Sequence, residues 1–138
     1  MPTLIDLDSK IDLAIKEFEK RNFQDAMTIC KKILEENNNS IDALKIIGKS
    51  LLAERQAKSA QLYFKKALNL APSDHEILKD LGNLHQAIGE TKQAKRYFEE
   101  ALSINPNYAP ALANLGSIFL ISNQKDKALC LFHKATQI

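Results

Sequence analysis

The sequence predicts an all-α fold, a solenoid of about four stacked helix-turn-helix units. Three observations lead there. Gly48, Gly82 and Gly116 recur at an interval of 34 residues. Ala60, Ala94 and Ala128 keep that interval, as do Phe64, Phe98 and Phe132, then Ala67, Ala101 and Ala135, and the pair Pro72 and Pro106. Inside each interval the apolar residues fall at i, i+3, i+4 and i+7, the spacing of one helix face, in two runs divided by a short polar break.

In units of 34 the chain reads 7–40, 41–74, 75–108 and a shorter 109–138, all within one expected domain over 1–138. The first unit is atypical. Its second half, Ala26, Cys30, Ile33 and Leu34, is in phase, but Ala14 stands at the glycine position. Its first stripe, Leu4, Leu7, Ile11, Ala14, Ile15 and Phe18, runs one residue out of register. That shift predicts either a shorter turn near Arg21–Asn22 or an end unit that meets solvent differently, as terminal repeats do. The second unit has Leu44, Ile47, Gly48 and Leu51, then Ala60, Phe64, Ala67 and Leu68. The third has Leu78, Leu81, Gly82 and His85, then Ala94, Phe98, Ala101 and Leu102. The fourth has Leu112, Leu115, Gly116 and Phe119, then Ala128, Phe132 and Ala135.

The breaks carry turn chemistry. Gly89 and Asn123 stand at equivalent positions and accept the left-handed conformation that ends a helix, with Arg55 a less comfortable occupant of the same place. Ser73 with Glu76 reads as a capping box, and Asn107 as the N-cap of the next helix, with Pro110 in its first turn. Pro72 and Pro106 stop the helices before them. A glycine inside a helix costs about 1 kcal/mol relative to alanine, so three in phase imply a steric demand. The small Ala60, Ala94 and Ala128 are expected opposite them, with the phenylalanines filling the gap toward the next hairpin.

Composition narrows function more than it defines it. The chain of 138 residues is 45% hydrophobic and 26% charged, ordinary for a folded domain. Nineteen basic against seventeen acidic residues give a net charge of +2 and no cationic block, which argues against nucleic acid as a partner. No apolar run approaches the roughly 18 residues of a membrane span, and Met1–Lys20 lacks the apolar core of a signal peptide, so the expected location is cytoplasmic with no membrane partner. Cys30 and Cys130 form no pair motif and read as small apolar helix residues. The histidines His75, His85 and His133 have no metal-ligand spacing. Gly48-Lys49-Ser50 lacks the glycine a phosphate loop requires at Ala43. No nucleophile–base set is visible, so neither a catalytic residue, a metal nor a cofactor is expected.

The set Gly48, Ala60, Phe64, Ala67 and Pro72, repeated as Gly82, Ala94, Phe98, Ala101 and Pro106, resembles the tetratricopeptide repeat. The resemblance covers units two to four without a gap and the second half of unit one. It implies a right-handed superhelix whose first helices line a concave groove for a peptide of another protein. The groove positions would be Asp42, Lys45, Lys49 and Leu52, then Glu76, Lys79, Asn83 and Gln86, then Ala113, Asn114, Ser117, Leu120 and Ile121. Lysines there would meet carboxylates as point charges, and Leu120 and Ile121 would hold an apolar side chain. The carboxylate clamp of chaperone-binding members is not supported, because Asp80 stands where an amide is wanted. The asparagine ladder of members attached to sugar-transferring enzymes is matched only by Asn114.

Members of this family usually end in a solvating helix, and no such helix follows the fourth unit here. Leu129, Leu131 and Phe132 therefore read as a surface for a following element of a longer protein or for a second copy in a homodimer. The leading expectation is a non-catalytic adaptor that binds a peptide segment. A substrate-recruiting arm of a larger bacterial enzyme, such as a transferase or oxygenase, and a self-assembling scaffold are the alternatives.

Overall fold

Four residues set the architecture of this computed structural model, which describes residues 4–137. Arg21, Arg55, Gly89 and Asn123 have φ of 66, 63, 82 and 60°, each in the left-handed region at the same place in its unit. In every case the next N–H reaches back past the turn: Asn22 to the Glu17 carbonyl, Gln56 to Leu51, Glu90 to His85 and Gln124 to Phe119, all at 2.8 Å. This is the Schellman closure, in which one left-handed residue satisfies the last carbonyls of a helix and reverses the chain. The first hairpin therefore has a turn of the same length as the others, and the shorter turn near Arg21–Asn22 is corrected.

Among the described residues the chain forms eight helices and no strand, in two compact units, Met1–Pro72 and Ser73–Ile138. The first unit holds α1 (Leu4–Glu19), α2 (Phe23–Glu36), α3 (Ile41–Ala53) and α4 (Ala57–Leu70). Here α1 pairs with α2 and α3 with α4, while α3 also packs on α2 and α1. The second unit holds α5 (His75–Ala87), α6 (Thr91–Ile104), α7 (Ala109–Ile121) and α8 (Lys125–Thr136). Its hairpins are α5–α6 and α7–α8, and α7 also packs on α6 and α5.

The register shift of α1 has a different cause from a short turn. Lys10 and Glu17 occupy the positions held in later first helices by Leu44, Leu78 and Leu112 and by Leu51, His85 and Phe119. Lys10 binds Glu36 at 3.0 Å, and Glu17 accepts from Asn22 Nδ2 at 2.8 Å. Leu13, at the position of the buried Ile47, Leu81 and Leu115, is 50% exposed. Polar side chains thus take two positions of α1 that the later first helices give to leucines or aromatic rings. Of the sequence-derived stripe, the Leu4 side chain lies outside those described.

The three glycines answer to the phenylalanine of their own hairpin. A Cβ on Gly48 would lie 2.6 Å from the Phe64 ring, one on Gly82 2.5 Å from Phe98, and one on Gly116 2.9 Å from Phe132. The expectation that these rings fill space toward the next hairpin is corrected: each covers the glycine facing it, and Phe64 and Phe98 are fully buried. Two caps are corrected as well. Asp74, not Ser73, caps α5 by accepting from the Glu76 and Ile77 N–H groups at 3.0 and 3.2 Å. Tyr108 rather than Asn107 occupies the N-cap of α7, without a side-chain cap bond.

Candidate functional site

The predicted binding residues sit on α3, α5 and α7, the first helices of the last three hairpins, but burial separates them. On α3, Asp42 is exposed, Lys49 and Leu52 are half-buried, and Lys45 is buried at 9% exposure. A lysine can bury its stem beside apolar neighbours, so Lys45 is a packed residue more than a free cation.

In the second unit the face shared by α5 and α7 is polar where the helices meet. Asn114 Nδ2 donates to Asn83 Oδ1 at 2.7 Å, joining the two first helices through side chains. Both asparagines are half-buried, as are Glu76, Lys79, Gln86, Ala113 and Ser117. Lys79 lies 2.8 Å from the Asp80 carboxylate, which is almost wholly buried, so its charge is neutralised locally. The Ser117 hydroxyl donates to the Ala113 carbonyl of its own helix at 3.1 Å. Leu120 and Ile121 are 50% and 79% exposed at the C-terminal end of α7. Amides therefore occupy the middle of this face and hydrocarbon its end.

At the last hairpin, Leu129 is 64% exposed, whereas Leu131 and Phe132 are half-buried. Phe132 is held against Gly116, so of the three residues read as a self-association surface it is an anchor of its own hairpin. Both cysteines lie on helices as expected; Cys130 is exposed on α8, while Cys30 is fully buried on α2 and its thiol is pushed up to about 12 by that burial.

His85, at 5% exposure, stacks on Tyr97 with ring centroids 5.3 Å apart and contacts Glu90 through Nδ1 at 2.8 Å. Burial, with Glu100 nearby, raises the Tyr97 phenol above its ordinary range. The imidazole thus packs as an aromatic in its hairpin. Among the described residues no group of three or more His, Cys, Asp or Glu side chains could hold a metal ion, and no helix is long and apolar enough to cross a membrane.

Reasoning from sequence missed Lys95 and Lys127. They bracket the Phe119 ring at 5.0 and 5.5 Å from α6 and α8. Nothing in their spacing joins them, because they meet only through the packing of three helices.

Residues 75–108 match the Tetratricopeptide repeat in one family form, and residues 97–129 match it in a second. None of the curated proteins matches the sequence. Solved structures share the fold. MamA is 21% identical with a TM-score of 0.80, over 96% of this chain and 77% of that one. The pilF protein of Pseudomonas aeruginosa is 22% identical with a TM-score of 0.85, over 95% of this chain and 60% of that one. A thermophilic tetratricopeptide-repeat protein of Thermus thermophilus is 20% identical with a TM-score of 0.85, over 94% and 72%. The family matches identify residues 75–129 as tetratricopeptide repeats, and the in-phase glycines, their facing phenylalanines and the common turn repeat the same hairpin geometry.

Proposed function

We infer that the chain is a protein-interaction module whose first helices hold an extended segment of a partner, without chemistry of its own. Tetratricopeptide repeats are generally non-catalytic interaction modules, and the family match supports that level of function. The observation that carries the finer reading is the Asn83–Asn114 pair. Each asparagine uses one side of its amide on the other. What remains is the NH2 group of Asn83, and the carbonyl oxygen of Asn114 with its second N–H, on neighbouring first helices. A donor next to an acceptor matches one main-chain peptide group, and an extended segment has every such group unsatisfied until it binds. Leu120 and Ile121 supply a seat for an apolar side chain of the same segment. Glu76, Gln86 and Ala113 border this site on α5 and α7, and Asp42, Lys49 and Leu52 form the corresponding face of α3.

Changing Lys45, Lys49 and Lys79 together is a poor test, because Lys45 is packed and Lys79 holds Asp80. The informative variant is Asn83→Ala with Asn114→Ala. Peptides selected from a displayed random library would be measured on the natural chain and on this variant, with helicity checked by circular dichroism. Loss of two polar contacts should weaken binding about tenfold or more. Selected peptides that bind both proteins alike would remove the amide pair from the site.

A further inference from the structure

Charge is distributed unevenly over the helices, and the two extremes lie in the first unit. Of the eight helices α4 is the most basic and α1 the most acidic. The first holds Lys58, Lys65 and Lys66 with no acid, and no acidic residue occurs from Arg55 to Ser73. The second holds Asp6, Asp8, Asp12, Glu17 and Glu19 against Lys10 and Lys16, so the net charges are +3 and −3. The expectation of no cationic block is thereby corrected for α4, which the overall charge of +2 conceals. Lys58, Lys65 and Lys66 are exposed and each lies one turn from Leu62, itself 72% exposed. The matching positions of α2 add Lys31 and Lys32, with Glu35 at the end of that face. None of these five lysines forms an ion pair among the described residues.

The outer face of α1 is the counterpart. Asp8, Asp12 and Glu19 are exposed and form no ion pair among the described residues, and Ile15, 38% exposed, lies between Asp12 and Glu19. Asp12 and Glu19 are seven residues apart, as are Lys58 and Lys65, which is about 10.5 Å along a helix. With the two helices antiparallel, a single register sets Glu19 opposite Lys58, Ile15 opposite Leu62 and Asp12 opposite Lys65. The same register sets Lys16 opposite Gln61 and Asp8 within a turn of Lys66. The glutamates of α6 are less available, because Glu99 meets Lys95 at 3.8 Å and Arg96 stands one turn from both Glu99 and Glu100. Within one copy α3 lies between α1 and α4 and packs on both. A copy therefore cannot join its own two faces, and the contact runs from one copy to the next.

We propose that the outer face of α4 is a docking surface, separate from the Asn83–Asn114 face, whose occupant is α1 of a second copy of this chain. Three opposed pairs carry the contact, two of them ionic around one apolar pair. Each copy offers both faces, so the association is head to tail. One helix on one helix covers a small area, so the contact is weak and fills as the protein is concentrated.

The test is a charge swap read by sedimentation equilibrium at low salt. The average mass of the natural chain should rise with concentration and fall back as salt is added. One variant carries Lys58→Glu, Lys65→Glu and Lys66→Glu, the other Asp8→Lys, Asp12→Lys and Glu19→Lys, each shown to be folded by circular dichroism. Alone, each should associate about tenfold more weakly or worse, because like charges then face each other. Mixed, the two should recover association, since every contact between them again joins opposite charges. Should a triple swap lower helicity, Lys65→Glu and Asp12→Lys are mixed instead, as those two positions are directly opposed. A natural chain that stays monomeric at every concentration overturns the proposal, as do variants that associate like it or a mixture that recovers nothing. A monomeric chain that binds vesicles of phosphatidylserine and phosphatidylcholine assigns α4 to a lipid surface and equally overturns it.

Discussion

At Gly48, Gly82 and Gly116 a single missing carbon decides how closely two helices approach. The distances rank the sites. A Cβ would press into the ring at 2.5 Å at Gly82, 2.6 Å at Gly48 and 2.9 Å at Gly116, and only at the last is the facing ring half-exposed and able to yield. Gly82→Ala and Gly48→Ala should each destabilise the chain by about 1–3 kcal/mol through overpacking. Gly116→Ala should fall near neutral, because a gain in helix propensity of up to about 1 kcal/mol offsets a smaller clash. Urea unfolding of the three variants checks the ranking, and equal losses would defeat it. Cys30 makes a second prediction. Its thiol moves from an ordinary value of 9.0 to about 12 through burial, so the folded chain holds that proton more tightly than the unfolded one. The resulting stability is complete below pH 9 and is lost as pH climbs toward 12. Cys30→Ala should flatten the alkaline decline in melting temperature; an unchanged slope would refute the link. The phase of the glycines was legible in the sequence, but their opposing residue was not, since the ring that meets each one lies sixteen positions further along.

The turns govern behaviour at the scale of the helix. Arg55 holds φ of 63° in the conformation that Gly89 adopts without a Cβ. A left-handed non-glycine residue costs about 1–2 kcal/mol, so Arg55→Gly should stabilise the chain by a few tenths to about 1 kcal/mol once the greater freedom of unfolded glycine is subtracted. A lower melting temperature would show that the arginine side chain contributes more than its backbone costs. Helix number and type were readable because the apolar stripes are strongly periodic. Helix starts were not: Ser73 and Asp74 are both good caps, and only the coordinates show which oxygen meets the first N–H groups. The stripe of α1 misled for another reason. Its register was judged from apolar residues alone, whereas Lys10 and Glu17, which stand in phase with the later helices, are held by Glu36 and Asn22.

Over the whole molecule, the 34-residue period made the repeat and its helical hairpins evident, and it placed the candidate binding positions on α3, α5 and α7. It did not show which of those positions are available. Lys45 is packed, Ser117 bonds its own helix, and Asn83 and Asn114 meet across a separation of 31 residues, shorter than the repeat. Contacts that break the period carry the individuality of a repeat protein, and no periodic pattern announces them. The Lys79–Asp80 pair, at 2.8 Å, has a consequence in solution. With that lysine neutralised, the stretch around Asn83 and Asn114 offers dipoles instead of net charge, and ligands held there should respond little to ionic strength. Lys95 and Lys127 lie over a ring open to solvent, where added salt screens charge beyond about 8 Å under physiological conditions. A simple salt titration would therefore tell a ligand held by the amides from one held by exposed lysines before that ligand is identified.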